Sequence, residues 1–359
     1  MRIIVYLASQ LPFLPGRGLK LGGMILLGLC ASTSADDAPV IETILSFQRD
    51  CGGWPKNYDR SRAIDPCEQR VVHEQRFQSD TTIDNGATYT EIRLLASAFQ
   101  AAEEQSTAAA ALRGIDYLLV GQMDNGGWPQ RFPNGRGYSG QVTFNDNAMI
   151  GVLNLLKDIA EEKPLFQFVP APIRQRCAAA VGRGLSCILR CQVVVGGVAT
   201  SWCAQHDRHS LAPCRGRSYE LPSLSGMESV GIIRFLMRVE NPDDAVMRAI
   251  RSGVAWFERV RLTGMRVERV MDHSKPKGFD YLVLRDSQAG PLWARFYDTR
   301  SNQPIFSSRD GIPKATLAEI SYERRTGYSW LGPYARDLLQ KDFPLWCRRH
   351  TPAPLRPNR

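Results

Sequence analysis

The chain has 359 residues, 43% of them hydrophobic, with a mean hydropathy of −0.26. That supplies a sizeable core and excludes a polytopic membrane protein. The formal charge of +9 suits an acidic partner outside the cell, and no basic amphipathic run or nucleic-acid motif points to DNA or RNA.

In chain order, Arg17 and Lys20 precede the apolar run Met24 to Ala31, which exits into small residues. This is the pattern of a secretory leader, too short for a spanning helix of about 20 residues. Bulky Leu29 argues against lipid attachment at Cys30, so cleavage is expected near Ala35. The expectation is therefore a leader over 1–35, one catalytic domain over 36–350 and a disordered tail over 351–359, secreted or periplasmic, with no membrane contact after cleavage. Removing Cys30 leaves an even number of cysteines, which in an exported chain predicts disulfides of undetermined pairing. Cys187-x-x-x-Cys191 lacks the partner set a zinc site needs.

The strongest internal signal is a repeat. G-G-W-P-K-N-Y-D at Gly52 returns as G-G-W-P-Q-R-F-P at Gly126, and Trp54, Trp128 and Trp202 are evenly spaced. A helical segment precedes each tryptophan, and a loop and a second helical segment follow it. Ile92, Leu95, Ala96 and Phe99 show the amphipathic rhythm, as do Met149, Val152, Leu153 and Leu156. Helix-loop-helix units of this kind predict a mainly α chain, an α/α toroid-like helical domain whose loops converge at one end. Beyond residue 263, M-R-V-E-R-V-M-D, D-Y-L-V-L-R-D and L-W-A-R-F-Y-D read as short strands of an irregular mixed lobe.

The candidate chemistry lies in the loops. Asp84 and Asn85 in T-I-D-N-G-A-T return as Asp146 and Asn147 in F-N-D-N-A-M. Two readings stand: N-caps, for which Asp and Asn are favoured, or a shared site whose hard oxygen ligands suit Ca2+. In the third unit, G-R-S-Y-E-L-P-S-L-S-G-M-E-S offers Arg217, with Glu220 close by as a possible surface partner. Arg295 and Arg309 suit bidentate capture of carboxylates or belong to a solvated charged loop, while E-R-R-T-G-Y-S-W after them reads as structural. His206 beside Asp207 also reads as structural, since no nucleophile motif accompanies it.

These segments, together with W-C-A-Q-H-D, R-F-Y-D and P-I-F-S-S-R-D-G, resemble the pectate lyases of polysaccharide lyase family 10 from about residue 44 to 335. The resemblance implies that Asp84, Asn85 and Asp146 bind the catalytic Ca2+. It further implies that Arg217 is the base and that Arg295 and Arg309, with Asn85, hold the substrate. The implied activity is β-elimination on polygalacturonate by a monomer, leaving 4,5-unsaturated ends. The chain departs from the family pattern at Gly216, where alanine is expected, and in added Arg and Cys residues between 203 and 216. Two further readings are an inverting glycoside hydrolase using Asp84 and Asp146, and a pectin-binding protein without activity.

Overall fold

A computed structural model describes residues 38–350; the expected leader and tail lie outside the described residues. In chain order the long helices begin with α1 (Ala38–Phe47), α2 (Pro66–Glu74), α3 (Tyr89–Ala102), α4 (Gln105–Val120) and α5 (Ala148–Ala160). After them come α6 (Ala171–Cys191), α7 (Glu228–Leu236) and α8 (Asp244–Arg259). Each hairpin packs on itself, α3 on α4, α5 on α6 and α7 on α8. Across hairpins, α1, α4, α6 and α8 adjoin in sequence to form one layer, and α3, α5 and α7 form the other. The two layers are those of the predicted α/α toroid, with the segments between layers emerging at shared ends.

The tryptophans explain the repeat. The indole Nε1 of Trp54 donates to Ile44 O at 2.7 Å, that of Trp128 to Leu118 O at 2.7 Å and that of Trp202 to Ile188 O at 2.8 Å. Each buried ring thus satisfies its one polar atom on the end of the helix before it. Each ring also meets a glycine on the next outer helix. A Cβ at Gly114, Gly184 or Gly253 would lie 2.8, 3.2 and 3.3 Å from the respective tryptophan Cζ3. A glutamine repeats the logic: Gln48, Gln122 and Gln192 each donate to a carbonyl of the next outer helix, at Ala110, Ala180 and Ala249.

A fourth unit follows, which the even spacing does not reveal. Trp293 Nε1 donates to Phe257 O at 2.9 Å, as its three predecessors do to their own helices. An inserted antiparallel hairpin, Met265–Met271 against Phe279–Arg285, separates it from α8 and destroys the spacing. The insertion belongs to the expected mixed lobe, which has its own small core of Tyr219, Phe296, Phe306, Leu317, Ile320 and Trp330. Two short helices, α9 (Tyr322–Gly327) and α10 (Phe343–His350), complete the chain.

The cysteines depart from expectation. Cys51, Cys67, Cys177, Cys187, Cys191, Cys203 and Cys214 are thiols rather than halves of disulfides. Cys177, Cys187 and Cys191 lie on the buried face of α6, where a thiol packs as a small apolar group.

Candidate active site

Three backbone rungs set the register of the loops. Thr82 N donates to Trp54 O at 3.1 Å, Thr143 N to Trp128 O at 3.1 Å, and Ser225 N to Trp202 O at 2.7 Å. Two residues on, the first two units enter matching three-residue turns, Asp84–Gly86 and Asn145–Asn147. The middle residue of each is left-handed: Asn85 at φ 51°, ψ 34° and Asp146 at φ 51°, ψ 32°. Asn and Asp are the non-glycine residues that tolerate this conformation best. The structural equivalents are therefore Asp84 with Asn145 and Asn85 with Asp146, one residue out of step with the Asp-Asn pairing of the sequence.

The same register corrects the third unit. The residue matching Asp146 is Glu228, three after Ser225, and not Arg217, which stands on the excursion that precedes the rung. The capping reading also fails. α3 and α5 begin from Thr88 and Asn147 as caps, and neither has a side-chain capping bond. Asp84 and Asp146 lie in the three-residue turns before the helices and not at their caps.

The two turns lie side by side. Both carboxylates act on Tyr89, whose phenol is pushed up to about 12 by burial first, then by Asp84, with Asp146 adding to it. Asp84 is buried, its Oδ2 held by the Lys56 ammonium, and its Oδ1 has no hydrogen-bond partner. Asn85 is exposed beside it. Asp146 Oδ1 accepts from Arg295 Nη2 at 3.0 Å and its Oδ2 from Asn145 Nδ2 at 2.7 Å. Arg295 Nη2 also reaches Asn145 Oδ1 at 3.2 Å and Glu228 Oε1 at 2.6 Å, while Ser225 Oγ holds the other oxygen of Glu228. Arg295 is only 4% exposed. Burial pulls its guanidinium down, but the charges of Glu228, Tyr328 and Asp146 outweigh this and hold it above its ordinary range.

Lys56 and Arg295 are equivalent positions. Ile83 N donates to Gln130 O, Phe144 N to Ala204 O and Gly226 N to Arg295 O, so the residue two after Trp128, Trp202 and Trp293 faces the preceding unit's turn, while Lys56, two after Trp54, meets Asp84 of its own unit. The residues two after the tryptophans are Lys56, Gln130, Ala204 and Arg295 in turn, cationic in the first and last units. Lys56 and Glu228 were absent from the sequence-derived site. The signal that would have found Lys56 is its place in W-P-K, matching W-A-R in the fourth unit.

Arg217 closes the site from one side. Its backbone N donates to Glu220 Oε2 at 2.8 Å and its Nη2 to Glu220 Oε1 at 2.5 Å. Tyr328 OH donates to the same Oε1 at 2.8 Å. Burial lowers the Arg217 guanidinium, and its hydrogen bond to Glu220 more than restores it, so it stands above the ordinary arginine range. A Cβ at Gly216 would lie 2.2 Å from Gln205 Oε1 and 2.6 Å from Glu220 Oε2, the far ends of two flexible side chains that would have to shift. The loop itself hangs on His206, which accepts from Cys203 N at 3.0 Å and donates to Leu211 O at 2.8 Å. Burial pushes that imidazole down to about 4, which makes it a neutral structural bridge and no general base.

One ring joins the two halves. The Arg217 and Arg295 guanidiniums lie 5.6 and 4.5 Å from the centre of the Tyr328 ring. The segment read as structural thus supplies a wall of the site. Arg309 stands at the rim, exposed, paired with Glu323 at 3.0 Å and 5.6 Å from the Tyr219 ring. Asp84, Asn85 and Asp146 are brought together with Arg295, Arg217 adjoins through Tyr328, and Arg309 at the rim shares the Tyr219 ring with Arg217, whose guanidinium lies 5.0 Å from its centre. Among the described residues no three His, Cys, Asp or Glu side chains cluster as a metal site, so a cation here would draw on the Asn85 amide oxygen. Asp84 Oδ1, buried and unmatched, is the oxygen most in need of one.

Comparison with known proteins follows the same lines. The family model described as pectic acid lyase matches residues 48–339. No curated protein sequence matches the chain. Among solved structures, a family 10 polysaccharide lyase from Cellvibrio cellulosa is 34% identical, with a TM-score of 0.73 over 86% of this chain and 92% of that one. An aspartate-to-alanine mutant of a family 10 polysaccharide lyase from the same organism, in complex with trigalaturonic acid, is 34% identical. Its TM-score is 0.74 over 85% of this chain and 91% of that one.

Proposed function

We propose that this chain, which belongs to the pectic acid lyase family, is a Ca2+-dependent pectate lyase cleaving polygalacturonate by β-elimination to leave 4,5-unsaturated ends. Family membership makes it a polysaccharide lyase. The observation that carries the finer reading is the meeting of the Asp84 and Asp146 turns with two guanidiniums that share the Tyr328 ring. The trigalaturonic acid of the related structure favours a uronate substrate.

The chemical difficulty is the C5 proton of a uronate, which is α to a carboxylate. Removing it adds charge to an anion. Arg295 and Lys56 supply fixed positive charge at one side of the cleft, so developing charge meets preorganised partners without solvent reorganisation. Arg217 projects from its turn with the side chain 41% exposed, and in this reading it takes the proton. The bond to O4 then breaks, O4 takes a proton from solvent, and neither water nor any other nucleophile attacks. Asp84, Asn85 and Asp146 fit a Ca2+ ion by donor chemistry, all being hard oxygens, one of them buried without a partner. Bound there, Ca2+ would supply neutralisation of the substrate carboxylate. The accompanying expectations are export by the leader at 1–35, to the periplasm or beyond, and action as a monomer. No helix among the described residues is long and apolar enough to cross a membrane.

The test is ultraviolet absorbance of unsaturated ends released from polygalacturonate. We expect product with Ca2+, none after chelation, and restoration on adding Ca2+ back. Asp146→Asn should lower the rate by roughly a hundredfold or more, the order seen when one charge-stabilising group is removed. Reducing ends formed without the ultraviolet signal would overturn the reading.

A further inference from the structure

A uronate polymer carries a carboxylate on every sugar unit, so holding several units takes more cations than the bond-breaking step uses. Outward from the cleft the row of guanidiniums continues. Arg217, Arg309 and Arg324 lie 5.0, 5.6 and 4.3 Å from the centre of the Tyr219 ring. All three are matched by carboxylates, Arg217 by Glu220, and Arg309 and Arg324 by Glu323. Beside them stands an arginine that is not. Arg215 is exposed, and among the described residues its guanidinium makes no ion pair and no hydrogen bond.

Arg215 is nonetheless held. Cys214 N donates to Gln205 O at 3.0 Å and Gly216 N to Glu220 O at 3.0 Å, which pins the backbone on both sides of it. Its guanidinium lies against Gly311, where a Cβ would come 3.3 Å from Nη1 and 3.4 Å from Nη2. The same Cβ would lie 3.0 Å from Ser218 O, and Gly311 has φ 72°, so glycine there lets the turn that carries Arg309 close on the segment that carries Arg215. The one acid of that turn, Asp310, accepts the backbone N of Ile312 at 3.0 Å and makes no ion pair. A positioned guanidinium with no anion of its own, beside the arginine at the rim, is an open receptor for a carboxylate. It lies within 203–216, where the chain departs from the family pattern.

We propose that Arg215, on the Gly311 face of the Arg309 turn, is an outer subsite that holds the carboxylate of a uronate unit remote from the bond being cleaved and so favours longer chains. This rests on the lyase reading above, and no bond is made or broken at Arg215. A trimer seated over the Asp84 and Asp146 turns ends short of it, and a hexamer reaches it. Because the contact is the same before and during the chemical step, it acts on KM and affinity and leaves kcat alone. Arg215 is thus a specificity-determining residue that the elimination itself does not use.

Arg215→Gln and Arg215→Glu test this with galacturonate oligomers of two lengths. We expect Arg215→Gln to raise KM and calorimetric Kd for hexagalacturonate about fivefold, the upper range of an exposed ion pair, with kcat within twofold of the parent. Arg215→Glu should raise both further, and trigalacturonate should be bound and cleaved as before. In roughly 0.5 M NaCl the hexamer difference should largely vanish, since exposed charges are then screened. Arg208→Gln, which removes an exposed arginine of the same excursion away from the Gly311 turn, should change neither oligomer. Hexamer affinity within 1.5-fold of the parent in Arg215→Glu overturns the subsite. So does an equal loss for trimer and hexamer, or an equal loss in Arg208→Gln, the mark of net charge acting diffusely. A parent protein that releases no unsaturated ends fails the lyase reading, and the calorimetric comparison, free of turnover, then still decides whether Arg215 holds a uronate.

Discussion

Glu228 holds Arg295 in a place where a lone guanidinium is untenable, and removing its charge should be costly. Both groups are nearly sealed from solvent, at 1% and 4% exposure, and 2.6 Å apart. Breaking a buried pair by removing one charge costs about 3–5 kcal/mol, because the other charge is left without compensation. Here Arg295 keeps Asp146 at 3.0 Å and Asn145 at 3.2 Å, which places Glu228→Gln at the lower end, about 3 kcal/mol. At roughly 2–3 °C per kcal/mol for a domain of this size, the melting temperature should fall by about 6–9 °C. Asp146→Asn provides the contrast. The Asp146 side chain is 30% exposed, so its loss costs little stability while the lyase rate falls. Calorimetric melting of both variants beside the product assay separates the roles. The reasoning is refuted if Glu228→Gln melts within about 2 °C of the parent, since a desolvated, uncompensated guanidinium cannot be that cheap.

Acid should destabilise the protein through His206. Burial keeps the folded imidazole neutral down to about 4, whereas an unfolded one protonates near 6.5, so its contribution is whole above pH 6.5 and is lost as pH falls toward 4. The total is on the order of 3 kcal/mol, and urea titrations across that window should show the slope flatten in His206→Gln. Gly114→Ala should destabilise despite better helix propensity. The new Cβ would lie 2.7 Å from Ile92 Cγ1 and 2.8 Å from Trp54 Cζ3. Overpacking of about 1–3 kcal/mol exceeds the gain of about 1 kcal/mol, and a variant more stable in urea would contradict the tight approach. Lys56→Met should tighten Ca2+ binding about fivefold in a calorimetric titration, since removing a neighbouring positive charge is worth about 1 kcal/mol at a wet site. Unchanged affinity would place Lys56 outside the field of the cation.

The helical units were legible because their cause is local. A tryptophan that caps one helix and a glycine that admits its ring on the next leave even spacing and amphipathic rhythm in the chain. The hairpin strands at Met265 and Phe279 were legible for the same reason, as alternation between turn residues. What escaped were relations between units. The Asp-Asn pairs looked aligned, yet the left-handed positions are Asn85 and Asp146, because the ladder rungs at Thr82 and Thr143, not residue identity, set the register. Glu228 escaped because the third unit has lost the turn that marks the first two, and Tyr328 because its ring serves two arginines distant in sequence.

Sequence alone thus determined that this chain is a helical toroid of Trp-marked units with an acidic pair and several arginines in its loops, since periodicity, glycine and capping act over a few residues. Only the tertiary structure decided which of those charges share a space. It alone set Lys56 on Asp84, Arg295 between Asp146 and Glu228, and Glu220 behind Arg217. Electrostatic pairing depends on distance and burial through space, and neither is written in the spacing along the chain.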